Sequence, residues 1–295
     1  MLRLIRTSST TSSLVLFSLI ESILIHFPQI ILYMAISTNY LYRMMFSADI
    51  KGKLSIVLVE GSDDIRFMKI VMEENVACIE SPYGKHGLED LMNTDDPVIQ
   101  RKEVIAVRDK DYMDLTQLPD RFFVYDGCCL ETMILKDLEI SESFHRENYK
   151  GTATKESYIL GAMSQLAPYS ILRRINEQEN GEIAFQKCKF GHLIDGETLK
   201  IEDLFDKVGQ ADKLQTCVEE AKSIVEENEL WNITNGHDLC TYLGTVSNLG
   251  KNRLGEEGVR NILFGMYRKN DFKKTKLYDT LLQYQTRNGL KFVSE

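Results

Sequence analysis

Proline is scarce in this 295-residue chain, with five occurrences, and tryptophan occurs once. Neither the Pro/Gly-rich composition of disordered and collagen-like chains nor their low apolar content is present. Six cysteines form no C-x-x-C pair and no histidine set stands at zinc-finger spacing, which argues against a structural zinc site. The adjacent Cys128 and Cys129 read as small buried thiols at the end of an apolar strand, and the cysteine usage fits a reduced, cytosolic chain. Gly84-Lys85 is not a P-loop, because no Gly lies five residues earlier and no Ser or Thr follows the lysine. No G-x-G-x-x-G, G-x-S-x-G or H-E-x-x-H occurs, and the five histidines are scattered. Positive charge is also short: 35 Lys and Arg face 44 Asp and Glu, a net charge of -9. That balance excludes coating of nucleic acid through bulk charge, so any phosphate contact is local and suits a substrate presented by a partner.

What is present begins with an apolar stretch from Leu14 to Ile36, interrupted by Glu21, His26, Pro28 and Gln29. Its length matches a bilayer, but a central carboxylate costs about 2.5–3.5 kcal/mol on insertion. No A-x-A-like cleavage site follows it. Three readings stand: a membrane anchor, a packed apolar helix, or an upstream extension of a chain that starts at Met34. A cytoplasmic location is expected, with membrane association through residues 14–36 left open.

From residue 50 onward, strand and helix signals alternate. LSIVLVE at Leu54 to Glu60 reads as a strand buried on both faces, followed by a turn at Gly61 and a helix to about Glu74. Val76–Glu80 is a second strand, followed by a Gly-containing turn, SPYGKHG, and a helix through Leu88 and Met92. EVIAVR from Glu103 to Arg108 is the third strand and FFVY from Phe122 to Tyr125 the fourth. This spacing predicts an α/β layer fold with a parallel sheet, with functional groups beyond the carboxyl ends of the strands. After about residue 137 helical patterns dominate. The expected organisation is an N-terminal segment at 1–49, an α/β domain at 50–137 and a mainly helical region at 138–295. The stretch from Lys200 to Trp231 is acidic, whereas Lys251 to Glu295 is basic. Lys273, Lys274 and Lys276 beside Phe272 and Tyr278 are candidates for phosphate contacts.

Three carboxylates sit where two adjacent strands are predicted to end. Glu60 closes the first strand, while Asp109 and Asp111 close the third. In an extended segment, residues two apart point to the same side, so the two aspartates would face one point and Lys110 would face away. Such an oxygen-rich pocket suits Mg2+ or Mn2+. Like charges raise one another's pKa, so the trio implies a divalent cation or a catalytic proton. Lys85, His86, Arg108 and Lys110 are the nearby candidates for holding phosphate or transition-state charge, with Lys85 favoured because its turn also presents backbone N–H groups.

IVLVEGSDDIRF followed by VIAVRDKDYMD resembles the Toprim domain, the acidic metal-binding fold of topoisomerases, bacterial primases and OLD-family nucleases. The likeness covers roughly Leu54 to Lys136. It implies that Glu60, Asp109 and Asp111 are the family's catalytic acids, with Asp64 as a further acid of the OLD-like branch. FFVYDGCCLETMIL is similar to a junction in a smaller Toprim group, which implies a metal role for Glu131. WNITNGHDLCTYL resembles that group's Trp-to-Gly-Lys segment, with His237 where lysine is commoner. The group includes the nuclease effectors of PARIS-type anti-phage systems, held by an ATPase partner. The resemblance therefore implies a Mg2+-dependent endonuclease acting on RNA, such as host tRNA, or on DNA, with an ATPase partner and self-association as further expectations. The rival reading is a non-catalytic Toprim-like subunit of an ATPase complex, with the acids binding metal for structure only.

Overall fold

Short runs of Val, Ile, Leu and Phe, each too short for a helix and apolar on both faces, build a four-stranded sheet that is parallel throughout. In the computed structural model the described residues are 53–295, except 54, 83, 114, 180, 182, 186, 187, 225 and 248–253. The apolar stretch at 14–36 lies outside them. Among the described residues no helix is long and apolar enough to cross a membrane.

The strands β1 (Ser55–Val59), β2 (Val76–Glu80), β3 (Val104–Arg108) and β4 (Phe122–Val124) are arranged in the order β2-β1-β3-β4. β1 pairs with β2 on one side, Val59 opposite Glu80, and with β3 on the other, Val59 opposite Val107. Helix α1 (Ser62–Val71) carries the chain from β1 to β2, and α2 (Gly84–Met92) begins the return to β3. The strand order reverses between β1 and β3, and the crevice beyond their carboxyl ends is where parallel α/β sheets bind ligands.

The two faces of the sheet feed two apolar cores. Ile56, Leu58, Val104 and Ala106 pack with Leu88 and Met92 of α2. Val57, Val59, Ile105 and Val107 face the other way and join a larger core with Phe67, Met68 and Val71 of α1. Each such side chain contributes roughly 1.5–3 kcal/mol on burial. The larger core runs without a break into the C-terminal half, through Met163, Leu166, Leu243 and Leu281.

That half is mainly helical, as expected: α3 (Leu130–Lys136), α4 (Leu138–Asn148), α5 (Lys155–Gln178), α6 (Ile201–Lys207), α7 (Leu214–Ser223), α8 (Glu227–Ile233), α9 (Gly236–Val246), α10 (Gly255–Met266), α11 (Lys269–Phe272) and α12 (Lys276–Asn288). A two-residue hairpin, β5 (Ile194–Asp195) with β6 (Thr198–Leu199), interrupts the helices. Within the acidic stretch, Glu220 pairs with Arg174 of α5 and Glu219 with Lys222, so part of its charge is used inside the chain.

The basic tail departs from the expectation of a phosphate-binding surface. Phe272 and Tyr278 are buried, and Phe272 meets Phe67 edge-on at 6.0 Å. Lys274 lies 2.9 Å from Asp137 and 3.2 Å from Asp271, and Lys273 donates to the Glu295 carbonyl. The aromatic residues serve the core and these two lysines serve internal partners, so no interleaved base-stacking face is present there.

The chain closes by returning to the sheet. Tyr284 of α12 packs edge-on against Phe123 at 5.5 Å and donates its hydroxyl to the Lys102 carbonyl at 2.8 Å. Asp126, just past β4, accepts the backbone N–H of Lys276 at 2.8 Å and of Leu277 at 3.0 Å, satisfying donors that the first turn of α12 cannot pair internally. Asp126→Ala should therefore cost about 1–2 kcal/mol. Urea unfolding checks this, and a change below a few tenths of a kcal/mol would show that the tertiary cap contributes nothing.

Candidate metal centre

Five acids reach the β1/β3 crevice from four segments of the chain. Glu60 follows β1, Asp64 sits in the first turn of α1, Asp109 and Asp111 follow β3, and Glu131 opens α3. Asp109 feels the charges of Glu131, Asp111, Asp64 and Glu60, and burial followed by those four neighbours pushes its carboxyl well above the usual range. Its Oδ1 accepts the Leu130 N–H at 2.9 Å, at the N-terminus of α3.

The D-x-D pair converges by a different route from the extended one expected. β3 ends at Arg108, and Asp111 adopts a left-handed backbone, φ 48°, which aspartate tolerates better than most residues. The Asp111 N–H donates to the Cys128 carbonyl at 2.8 Å, fixing the turn against the β4–α3 loop. Lys110 does face away from the acids: its ammonium donates to Asn232 of α8 at 3.0 Å.

Arg108 is not a phosphate-facing group. Its side chain is 1% exposed, and Nη1 lies 2.6 Å from Glu89 while Nη2 lies 2.9 Å from Asp111. Nε donates to the Asp109 carbonyl at 2.9 Å and lies 3.9 Å from Glu60. One guanidinium is thus spread among the acids as their internal counter-charge. Lys85 and His86 fall in the first turn of α2 instead of an open turn, and their side chains lie outside the described residues.

Asp64 uses both oxygens. Oδ1 accepts the Tyr125 hydroxyl at 2.7 Å and Oδ2 accepts the Gly61 N–H at 2.9 Å, tying the β1–α1 turn to the end of β4. Burial, with the charges of Glu60 and Glu131 added, pushes its carboxyl up to about 7 against the lowering effect of those two hydrogen bonds.

The segment from Trp231 onward completes the site from the helical side. The Cys128 N–H donates to the Trp231 carbonyl at 2.9 Å. Gly127, at φ 80°, leaves no room for a side chain beside that same carbonyl and Thr132. Gly236 opens α9 directly against Glu131, where a methyl group would overlap both Glu131 Oε2 and Cys129 Sγ. The positive end of α9 therefore abuts a buried carboxylate. His237, next in sequence, lies 2.6 Å from Glu256, and that hydrogen bond, with the Glu131 charge added, raises the imidazole pKa despite burial. Asp238 is held by a two-pronged pair from Arg173, at 2.6 and 2.8 Å.

A cleft of about 940 Å3 opens here, and its lining includes Glu60, Asp109 and Asp111 together with Lys189 and His192. Arg173, Asp238 and Glu256 also line it, and no local sequence pattern marks any of them. Among the described residues, the acids whose oxygens all lie within 4.8 Å of one another are Asp137, Glu139 and Asp271, and not the predicted trio. That surface group is bridged by Lys274, whereas Glu60 and Asp111 are arranged around Arg108 and the Asp109 carboxylate accepts the Leu130 N–H. No protein-family model matches the chain and no curated protein matches it.

Two stability consequences follow from this charge distribution. Arg108→Met leaves Glu89 and Asp111 without their buried partner and should cost about 3–5 kcal/mol, read as a lower urea midpoint; a loss under 1 kcal/mol would show that the guanidinium does not compensate the acids. The folded-state pKa of Asp64 lies above its unfolded value, so between about pH 4 and pH 7 the folded chain holds a proton that the unfolded chain has lost, and stability falls as pH rises through that window. Asp64→Asn, which keeps an oxygen acceptor, should accordingly stabilise the chain in EDTA at pH 8 by about 1–4 kcal/mol, a gain that shrinks towards pH 4. Calorimetry showing equal destabilisation at both pH values would contradict it.

Proposed function

We propose that this chain is a divalent-cation-dependent phosphodiesterase of the Toprim kind, cleaving nucleic acid. The observation that carries the reading is the gathering of Glu60, Asp64, Asp109, Asp111 and Glu131 at the switch point of a parallel sheet, with the buried Arg108 against Glu60 and Asp111 and with Glu60, Asp109 and Asp111 lining a cleft. The donor set fits a hard cation, because every candidate ligand atom is a carboxylate oxygen and the negative charge exceeds what Arg108 balances. Glu60, Asp109, Asp111 and Glu131 would hold Mg2+ or Mn2+, with Asp64 beside them fixing the β1–α1 turn. When bound, the cation supplies Lewis-acid charge at the scissile phosphate.

The residues of the chain do the rest. Glu60, with its side chain 31% exposed, stands at the cleft, where an ionised carboxylate can take a proton from an attacking water. Arg108 orients Asp111 and keeps negative charge tolerable in a buried site. The Leu130 N–H fixes the Asp109 carboxylate, and the cleft walls restrict water and orient the phosphate backbone. Lys85, at the start of α2, remains a proposed phosphate contact. The resemblance to effectors of anti-phage systems supports host RNA such as tRNA as substrate and an ATPase as partner, which the acidic surface charge also suits. The alternative, a regulatory subunit with a structural metal, predicts that removing an acid lowers stability and not turnover.

Cleavage of mixed cellular tRNA and of plasmid DNA by the full chain, with and without its ATPase partner, tests the reading in Mg2+, Mn2+ and EDTA. Cutting should require the metal, and Glu60→Gln should reduce it by about 10²-fold or more while leaving the melting temperature within a few degrees. Equal cutting by the variant, or cutting in EDTA, would sink the proposal.

A further inference from the structure

One stretch of the cleft lining lies away from the acids: Gly236 at the start of α9 abuts Glu131, whereas Thr245, nine residues on and roughly 13 Å along the axis, meets Gly191. Lys189 and His192 line it on the segment leading into the β5–β6 hairpin, and Lys207, the last residue of α6, reaches the same edge. The Lys207 ammonium donates to the Lys189 carbonyl at 2.7 Å and lies 3.4 Å from His192 Nε2. Three nitrogen-bearing side chains thus share one rim. They stand on fixed supports: Phe190 and Ile194 are buried on one side, Leu204 and Phe205 on the other. Gly191 presses so closely on α9 that a methyl group would come within 2.9 Å of Thr245 Oγ1.

Among the described residues neither rim lysine is neutralised by a carboxylate, in contrast to several lysines of this acidic chain. Elsewhere in this acidic chain Lys155, Lys213, Lys222 and Lys274 pair with carboxylates. Among the described residues no carboxylate forms an ion pair with Lys189 or Lys207. The other cations of the cleft are committed, Arg173 to Asp238 and His237 to Glu256.

We infer that Lys189, His192 and Lys207 form a phosphate-binding rim that holds the backbone of a polynucleotide at a distance from the acid cluster. The inference rests on the reading of that cluster as a phosphodiesterase site, and it calls for a polymer: the rim beside Thr245 lies roughly 13 Å along α9 from Gly236 at Glu131, more than one nucleotide step. The aromatic residues near the rim, Phe185 and Phe190, are buried against Tyr169, so the grip is through phosphates and not through stacking on bases.

The test compares the full chain with Lys189→Glu/Lys207→Glu and with the conservative Lys189→Arg/Lys207→Arg. One assay is anisotropy of a fluorescein-labelled 20-nucleotide single strand in Ca2+ over a salt series. The other is Mg2+-dependent hydrolysis of thymidine 5′-p-nitrophenyl phosphate, a diester too small to span the cleft. The Glu pair should weaken oligonucleotide binding at least about tenfold and lower the salt slope by roughly one to two. It should leave small-diester hydrolysis and melting temperature unchanged, and the Arg pair should bind as the parent does. Oligonucleotide binding and salt slope unaltered by the Glu pair would overturn the rim, even where the small diester is still cleaved and the phosphodiesterase reading survives. Loss of binding in the Glu pair with no hydrolysis by any form would support the rim and remove the phosphodiesterase.

Discussion

Everything near the sheet's carboxyl edge depends on one electrostatic constraint: the buried guanidinium of Arg108 is shared by Glu60, Glu89 and Asp111, while Asp64, Asp109 and Glu131 crowd in beside them. Charges taken out of water are costly unless paired and hydrogen-bonded, and Arg108 makes its contacts with three acids and a backbone carbonyl. A lysine could not do this, because a point charge on a flexible stem lacks the planar fork that reaches several acceptors at once. Even so, one positive charge does not balance the cluster. The excess raises the pKa values of Asp64 and Asp109 and is offset in part by the Leu130 N–H at the start of α3. On the proposed metal-dependent reading, such a site would exchange protons for a cation on binding, so that its chemistry and its stability would be one problem.

Parallel topology explains why the acids meet at all. β1 and β3 are neighbours although α1, β2 and α2 separate them in sequence, and their carboxyl ends open on the same crevice because the strand order reverses there. The helical half then closes that crevice from above. It contributes Gly236 against Glu131, the Trp231 carbonyl against the β4–α3 loop, and the Arg173–Asp238 pair in the cleft wall. The two halves share one core, so the boundary suggested by composition near residue 137 marks a change of secondary structure within a continuous packing unit.

The strands and the positions of Glu60, Asp109 and Asp111 were legible because a strand buried on both faces reads as a short unbroken apolar run, and an acid that ends such a run falls at the edge of the sheet, whereas Asp64 and Glu131, in first turns of helices, were named only through the Toprim resemblance. The geometry of Asp109 and Asp111 was not, since a left-handed turn at a non-glycine residue leaves no mark in a pattern of alternating side chains. Arg108 read as a phosphate contact for a similar reason: sequence proximity to acids cannot tell a guanidinium that faces solvent from one folded back to neutralise them. The basic tail read as a phosphate surface because Phe272 and Tyr278 stand among Lys273, Lys274 and Lys276, and only the tertiary fold, which buries both and puts Phe272 on Phe67, assigns them to the core. Lys189, His192 and Lys207 carried no signal, being brought together by the hairpin and α6 and not by spacing.

The connection between α10 and α1 extends the same logic beyond the first ring of acids. Arg260 pairs with Asp63, the neighbour of Asp64, and approaches Glu256 at 3.6 Å; Glu256 in turn holds His237 beside Glu131. Arg66 of α1 adds a hydrogen bond to Asn261 at 2.5 Å and lies over the Phe264 ring. A continuous chain of charged contacts therefore runs from the α1 end of the acid cluster through α10 to its Glu131 end. Any displacement of α10 would change the setting of Asp63 and His237 together, because both are tied to it through Arg260 and Glu256. The helical half is thus mechanically and electrostatically part of the site, and a ligand that moved α10 would act on the acids without touching them.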